Sequence, residues 1–298
     1  MSFRVEAFLC SLLLLSACAS DDRARSGGPA LFVARDHDST LYLYGTIHLR
    51  RAGEPWGSPA VERALASADE IWTELEISPE GDARAQQLAL RHGIAPADRP
   101  LSSWLSRDEQ ARLAVTATRL GLQPRSLEPM QPWLAALTLT LAPALQAGYD
   151  PNAGVDRAID AFGDANGKRM RALETPEQQI GFLANLSSEL QRQMLIEAID
   201  EAESGAETLN ALSDAWERGD LDDLEAQLAD EMRAEYPEVY AALIVQRNAA
   251  WTDTLLQELQ GAGVDFVAVG AAHLLGEEGL VEQLRERGVS VERVGGPR

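Results

Sequence analysis

The residues best suited to chemistry are His48 and His273, which end matching Gly-x-x-His motifs at residues 45–48 and 270–273. Each histidine follows a run of β-forming residues, and side chains that follow strands collect at the carboxyl edge of a sheet. Two imidazoles with a carboxylate suit zinc, manganese, iron or cobalt and leave a position for water. Because the motifs lie at opposite ends of the chain, their spacing also allows two separate, hydrogen-bonded loop histidines.

Two glutamates are the first carboxylates that could complete such a site. The composition of residues 70–77 predicts a strand, and alternate residues of a strand point to the same face. Glu74 and Glu76 would therefore share one face of that strand. Paired carboxylates next to imidazoles can ligate a metal or accept a proton from water.

Three further charged residues have both a functional and a purely structural interpretation. Glu174 follows a strand predicted over residues 168–173, where it is either a site carboxylate or the partner of Arg171. Arg247 lies inside a predicted helix and could bind a substrate carboxylate, hold a glutamate in place, or form an ordinary buried ion pair. Asp156 opens a helical stretch, where an acid is favoured by the helix dipole as readily as by catalysis.

The elements that must position these residues predict an α/β fold. Short β-rich runs at residues 31–34 and 41–44 are separated by turn-forming residues, which indicates a hairpin. Two more strands are predicted near the end of the chain, at 264–269 and 289–294. Between about 82 and 232, apolar residues recur at three- and four-residue spacing, which is typical of helices. We therefore expect a mixed central sheet built from N- and C-terminal strands, with a largely helical middle region.

The charge balance excludes one class of partner. The 298 residues include 26 Lys and Arg against 47 Asp and Glu, a formal net charge of −21. Such a field repels phosphate backbones, so nucleic-acid binding is not expected. The expected partner is instead a peptide or small-molecule substrate, and the composition does not fix the oligomeric state.

The N-terminal residues predict export and a lipid anchor. An apolar run at residues 8–15 is too short to span a bilayer but is typical of a signal peptide. It ends in Leu-Ser-Ala-Cys, which resembles the lipobox of bacterial lipoproteins. We expect a signal peptide over 1–17, lipidation of Cys18, a flexible tether over 18–30 and one domain over 31–298. The alternative is a plain signal peptide in which Cys18 is incidental.

This interpretation also determines the thiol chemistry and the location. The chain has 2 cysteines; Cys10 would leave with the signal peptide and Cys18 would carry lipid. Catalysis by a cysteine nucleophile is therefore excluded, and no disulfide is expected. The predicted location is the bacterial cell envelope, with the protein held in the outer membrane and facing the periplasm. Because the domain is acidic, the lipid has to supply the anchoring.

An ordered set of motifs resembles the TraB/GumN family, which is related to the Tiki proteins and to the erythromycin esterase/ChaN-like superfamily. These motifs span nearly the whole predicted domain. They are 41–49 (LYLYGTIHL), 74–76 (ELE), 154–156 (GVD), 173–179 (LETPEQQ), Arg247-Asn248 with Trp251, and 266–276 (FVAVGAAHLLG). The family often has Glu-Leu-Asp at the second motif, so the acid is retained here with one additional methylene.

The resemblance implies a metal-dependent, peptidase-like hydrolase. Tiki proteins are membrane-anchored metal-dependent proteases in which two Gly-x-x-His motifs and a glutamate are implicated in activity. By position these are His48, His273 and Glu74, with Glu76 as the remaining carboxylate that accepts a proton from water. The cofactor would be a divalent cation: manganese, cobalt, zinc or iron. Glu174 and Arg247 are further catalytic candidates.

Two other functions stay open at this point. In the first, resembling erythromycin-esterase-like relatives, His48 works as a base without metal and is oriented by Glu74. In the second, the protein is a non-catalytic envelope component that sequesters a peptide or small ligand or assists export. A shared fold does not by itself decide between these functions.

Overall fold

The structure is a computed structural model that describes residues 28–204 and 207–295. The predicted signal peptide, Cys18 and all but the last three residues of the predicted tether lie outside the described residues. Within the described ranges, no helix is both long and apolar enough to cross a membrane.

Strands from both ends of the sequence form a six-stranded mixed sheet. The strands of the fold are β1 (Leu31–Arg35), β2 (Ser39–Thr46), β3 (Arg50–Arg51), β4 (Glu70–Thr73), β5 (Tyr149–Asp150), β6 (Arg169–Ala172), β7 (Gly263–Gly270) and β8 (Val291–Arg293). The order in the main sheet is β6-β4-β7-β2-β1-β8, and β3 pairs with β5 separately. The predicted α/β fold with a central sheet built from terminal strands is confirmed.

Four neighbouring strands of the main sheet run in parallel. β4 is parallel to both β6 and β7, and β7 is parallel to β2. β1 is antiparallel to β2 and to β8, so the hairpin predicted from the first two β-runs is confirmed. The carboxyl ends of β6, β4, β7 and β2 therefore meet at one edge of the sheet.

Helices cover both faces of the sheet and fill the middle of the sequence. They are α1 (Pro59–Ser67), α2 (Pro79–Gly93), α3 (Arg107–Arg119), α4 (Pro124–Leu127), α5 (Pro132–Gln146), α6 (Val155–Ala165), α7 (Pro176–Ala184), α8 (Ser188–Ser204), α9 (Glu207–Arg218), α10 (Leu221–Glu225), α11 (Glu231–Glu235), α12 (Pro237–Tyr240), α13 (Gln246–Glu258) and α14 (Leu280–Glu286). Proline occupies the first turn of several of them, where its missing N–H costs nothing. π-Helical turns lie at Ala226–Asp230 and Ala241–Val245.

The core divides along the two faces of the sheet, as the two-residue period of strands requires. On one face, Phe266 of β7 packs in a cluster with Trp216 of α9. On the other face, Val267 packs in a cluster with Trp251 of α13. A third cluster joins α3, α5 and α8 away from the sheet, with Leu139 and other fully buried side chains at its centre. The helical middle region thus has its own core beside the sheet.

The strand predicted over residues 70–77 is shorter than expected. β4 ends at Thr73, where its pairing with β6 and β7 also ends. The Thr73 hydroxyl donates to the Leu75 carbonyl oxygen at 2.7 Å, which turns the chain out of the strand. The prediction that Glu74 and Glu76 share a strand face is therefore wrong.

Candidate functional site

Four of the predicted site residues lie at one edge of the sheet, where the four parallel strands end. His48 follows β2, Glu74 follows β4, Glu174 follows β6, and His273 lies in a single 3₁₀ turn after β7. β2 and β7 are direct neighbours. This topology brings the two distant Gly-x-x-His motifs to adjacent positions, as ligand sites at the carboxyl ends of parallel strands require.

Gly270 is the point on which three of these side chains converge. A Cβ atom built at Gly270 would lie 3.2 Å from Glu74 Oε1, 3.4 Å from His48 Nε2 and 3.7 Å from His273 Cδ2. The Gly270 N–H donates to Glu74 Oε1 at 2.7 Å. A larger residue would therefore intrude among all three side chains, which gives the glycine of this motif a steric function.

His273 is held in one tautomer by Asn248. The Asn248 amide nitrogen donates to the carbonyl oxygens of Glu278 at 2.8 Å and His273 at 3.3 Å, which fixes its Oδ1 as an acceptor. That oxygen lies 2.7 Å from His273 Nδ1, so we assign the ring proton to Nδ1 and a lone pair to Nε2. The ring also packs on Trp251, with centroids 4.4 Å apart. Burial lowers the pKa of His273 to about 4, so the ring is neutral at neutral pH.

Asp156 holds His48 in a corresponding way. Its Oδ2 lies 3.1 Å from His48 Nδ1, so Nε2 points away from the carboxylate. The Val155 N–H donates to the Ile47 carbonyl oxygen at 3.0 Å, which docks the start of α6 beneath the loop that carries His48. The protein around the cavity opposes protonation of His48, but the charge and hydrogen bond of Asp156 outweigh this desolvation and raise its pKa to about 9. The His48 side chain is 60% exposed, into a cavity.

Arg247 ties two glutamates together beneath the histidines. Its Nε and Nη2 donate to the two oxygens of Glu174 at 2.8 and 3.0 Å, and Nη2 also donates to Glu74 Oε2 at 2.7 Å. Nη1 lies 3.1 Å from His273 Nε2 and donates to the Leu243 carbonyl oxygen, also at 3.1 Å. The π-helical turn before α13 supplies that carbonyl. All three charged side chains are at least nine-tenths buried.

The pKa values of Glu74 and Glu174 shift in opposite directions, although both carboxylates bond to Arg247. Burial would raise the pKa of Glu74, but the imidazoles, Arg247 and the Gly270 N–H together hold it at about 2. For Glu174, burial outweighs the hydrogen bonds from Arg247, and its pKa is raised. Glu74 faces the two imidazoles and the Gly270 N–H in addition to Arg247, which is why its pKa separates from that of Glu174.

The remaining predicted positions fall on either side of this network. Glu76 is exposed and accepts a hydrogen bond from the Ser78 hydroxyl at 3.2 Å. It lines a pocket of about 220 Å³ together with His48 and Glu74. The structural alternative for Glu174, a pair with Arg171, is wrong, because Arg171 pairs with Glu70 on the sheet.

Two contacts in the site go beyond the sequence interpretation. The expectation that Glu74 orients His48 is wrong, because Asp156 occupies the Nδ1 side of that ring. Asn248 was visible only as a member of a motif, with no assigned role. No local signal in the sequence predicts the contact of Asp156 with His48, whereas the position of Asn248 directly after Arg247 in a motif is a signal that points to the amide.

Above this polar floor lies a cavity of about 520 Å³ with mostly apolar walls. His48, Glu74, Arg247, Gly270 and His273 line its floor. The helices of the middle region and the segment before α13 form its walls, whose apolar side chains are Leu137, Phe182, Leu183, Met194, Leu209, Leu212, Leu228, Met232, Leu243 and Ile244. Apolar walls around a few convergent polar groups are typical of small-molecule sites.

The comparisons with known proteins agree with this order of elements and motifs. The TraB/PrgY/gumN family model matches residues 30–293. The chain belongs to the TraB/PrgY/gumN family. Two similar proteins are the uncharacterized protein YbaP of Escherichia coli (strain K12) and the uncharacterized protein YbaP of Shigella flexneri. Each is 24% identical over 257 residues, which cover 86% of this chain and 92% of the relative. No solved structure matches the chain significantly.

The residues at the floor fit the divalent cation that TraB/PrgY/gumN resemblance implies. Each of the two histidines directs Nε2 toward the space beside Glu74 and has its Nδ1 held by a polar partner, as metal-ligating histidines have. His273 Nε2 is 3.9 Å from Glu74 Oε1. Within residues 28–204 and 207–295, no three His, Cys, Asp or Glu side chains are already assembled as a metal-binding group. For a cation to bind His273 Nε2, Arg247 Nη1 would have to move away from that nitrogen.

Proposed function

We propose that the protein is a hydrolase of amide or ester bonds in which His48, Glu74 and His273 hold a divalent cation. The observation that carries this proposal is the convergence of the three side chains around Gly270 at the floor of the cavity. Two imidazoles and one carboxylate are a donor set that zinc, manganese, iron or cobalt accepts, and His48 would release its Nε2 proton when the cation binds.

The chain's own residues prepare this floor for a reacting carbonyl. Asp156 and Asn248 each hold an Nδ1 proton, so both rings present Nε2 to the same space. Arg247 and the Gly270 N–H fix the two oxygens of Glu74. A cation bound there would polarise the substrate carbonyl and make water more acidic.

Glu76 is the proposed proton acceptor. Glu74 is committed to the Gly270 N–H and Arg247, and Glu174 is committed to Arg247 in a bidentate pair. Glu76 is exposed and lines the pocket beside His48 and Glu74, where water has access. A carboxylate there can take a proton from water as it attacks the carbonyl carbon.

A metal-free hydrolase is the second candidate, and the Arg247 contact favours it. With Nη1 at 3.1 Å from His273 Nε2, the guanidinium already supplies a positive charge at the floor. His48, with Asp156 on Nδ1 and Nε2 facing the cavity, would then carry the proton in the manner of a histidine–aspartate pair. The raised pKa of His48 suits a proton donor more than a base at neutral pH.

Metal content decides between the two candidates. Chelated protein is dialysed against zinc, manganese, cobalt or iron(II), and the bound metal is measured by elemental analysis. We expect one ion per chain in the wild type, and none in His48→Ala or His273→Ala. The other two histidines supply matched controls: His37→Ala and His92→Ala, both at exposed positions, retain the ion.

Activity on p-nitroanilides and p-nitrophenyl esters completes the test. Glu76→Gln is expected to lose most of kcat while its metal content stays at the wild-type level. Hydrolysis that survives exhaustive chelation establishes the metal-free candidate. An unchanged metal content in the His48→Ala/His273→Ala double variant refutes the proposed site, and the absence of any hydrolysis by the metal-loaded wild type refutes the proposed activity.

For its location, we propose a lipid anchor on Cys18 in the outer membrane, with the domain facing the periplasm. The support is the lipobox-like Leu-Ser-Ala-Cys at the end of the apolar run. The net charge of −21 gives the domain no attraction to anionic lipid, so attachment would depend on the acyl chains.

A further inference from the structure

The cavity above the floor adjoins a second cavity with mostly apolar walls. The second space has a volume of about 230 Å³ and lies between α5, α8 and the segment 227–243. The two cavities share five lining side chains, which are Leu137, Met194, Leu228, Met232 and Leu243. These apolar side chains form a wall common to the two cavities. Methionine in particular adapts its shape to a ligand because it is unbranched.

The walls of these paired cavities do not suit a polypeptide. Every residue of a peptide brings an N–H and a carbonyl that need partners once they are removed from water. The walls are helices, whose backbone groups already bond to one another. Away from the floor, the polar side chains that line the first cavity are those of Thr46, Tyr149, Gln179 and Ser213, and Tyr149 is already bonded to Asn210. The convergent hydrogen-bonding groups are concentrated at the floor.

A long hydrocarbon chain suits the same walls. It needs no hydrogen-bond partners, and each methylene that leaves water for the leucine-lined space is stabilised. Its single polar end, a carbonyl, would lie where His48, Gly270 and Arg247 are. Glu197 and Glu201 line the second cavity, so an anionic group at the far end of the chain is disfavoured.

We propose that the substrate is an acyl amide or acyl ester whose long unbranched chain fills the paired cavities while its carbonyl lies at the floor. The hydrolytic half rests on the proposed function: water adds to the carbonyl carbon and the C–N or C–O bond breaks. The products are a carboxylic acid, and an amine or alcohol that takes the proton. Binding of the chain requires only the cavities and is independent of the cation.

Displacement of a fluorescent fatty acid tests the binding half directly. Cis-parinaric acid is bound to the full-length protein and displaced by octanol, dodecanol and hexadecanol. We expect affinity to rise by about twofold to fourfold for each added methylene, up to the length that the cavities hold.

Leu137→Trp and Leu145→Trp form a matched pair of variants on α5. Leu137 lines both cavities and is 37% exposed, so a tryptophan there fills the space without entering the packed core. Leu145 is 53% exposed and lines neither cavity. We expect Leu137→Trp to weaken hexadecanol binding by about tenfold or more. Leu145→Trp is expected to stay within about twofold of the wild type.

The outcomes separate this inference from the proposed function. Equal affinity for all three alcohols, equal effects of the two tryptophans, or tighter displacement by an apolar heptapeptide overturns the acyl-chain proposal even if the enzyme hydrolyses short esters. Chain-length-dependent binding without hydrolysis of p-nitrophenyl palmitate supports the acyl site and refutes the proposed activity. Binding together with a kcat/KM that rises from the acetate to the palmitate ester supports both.

Discussion

Replacement of Arg247 by methionine tests whether the buried charge network holds the site together. Arg247, Glu74 and Glu174 have side chains that are 9%, 10% and 4% exposed. Methionine retains an apolar stem of similar length and removes the guanidinium, which lies over the Trp251 ring. The variant thus leaves two carboxylates buried side by side without their shared cation.

The expected loss of stability is large for a single substitution. Removing one partner of a buried ion pair costs about 3–5 kcal/mol, because an uncompensated charge remains in the interior. The control is Arg84→Met, which breaks an ion pair with Glu177 in which both side chains are nearly half exposed. Exposed pairs contribute about 0–1 kcal/mol, so the control is expected to unfold almost as the wild type does.

The loss should also depend on pH in a defined direction. In the wild type the pKa of Glu74, about 2, lies below its unfolded value, so its stabilisation is present above that value and is lost only as the pH falls toward 2. In Arg247→Met, Glu174 loses the hydrogen bonds that oppose the effect of its burial, so its folded pKa rises further above the unfolded value. Stability is then present at low pH and lost as the pH rises. The difference in the free energy of unfolding between variant and wild type should therefore be smaller at pH 5 than at pH 7.

This difference in the free energy of unfolding is measured by urea denaturation of chelated protein, with unfolding monitored by circular dichroism. Adding Glu174→Gln to Arg247→Met removes one of the two stranded charges and should recover part of the loss at pH 7. A loss below about 1 kcal/mol, or a loss that is equal at both pH values, would refute the idea that Arg247 compensates buried carboxylates.

Three further predictions concern other parts of the chain. Asn248→Ala frees the ring of His273 and leaves buried polar groups without partners. We expect the free energy of unfolding in urea to fall by about 1–3 kcal/mol. Metal binding, measured by competition with a chromophoric chelator, should weaken by about tenfold to hundredfold. Burial and neighbouring carboxylates, Glu70 first, raise the pKa of Asp265 to about 6, so its neutral form favours the fold; Asp265→Asn should gain stability over the wild type as the pH rises from 4 to 8 in thermal scans. Cys18→Ala should abolish incorporation of labelled palmitate and move the protein from the membrane to the soluble fraction of lysed cells.

The positions of the two histidines were predictable because a local pattern encodes them. A β-rich run followed by Gly-x-x-His determines that each histidine lies just past a strand, and the parallel pairing of β2 with β7 then makes them neighbours. The glycine was equally informative, since Gly270 is where a Cβ would meet Glu74 and His48. The α/β architecture followed from composition in the same way, because most strand-forming runs lie toward the ends of the domain and helical spacing dominates its middle.

The partners of these residues were not predictable, since they depend on packing between distant segments. The contact of Asp156 with His48 exists because the start of α6 docks on the loop after β2, which nothing near either residue encodes. The end of β4 at Thr73 reflects where its neighbours stop pairing, not the alternation of its own side chains. The cavity has walls from several helices that are separate in sequence, so a pattern within any one helix indicates only an apolar face.

The site divides its tasks between two layers, and this division has a consequence for specificity. The polar floor comes from strand ends and α13, which the sheet and the Arg247 network hold in place. The apolar walls come from the middle helices, represented by Leu137 of α5 and Met194 of α8, which pack around a separate core. Leu243 and Phe182 are wall residues that contact Arg247. Substitutions elsewhere in the walls, such as at Leu137 or Met194, should alter which chain length binds and leave metal affinity unchanged. Substitutions in the floor should alter metal affinity and leave the preferred chain length unchanged, so the two properties can be varied independently.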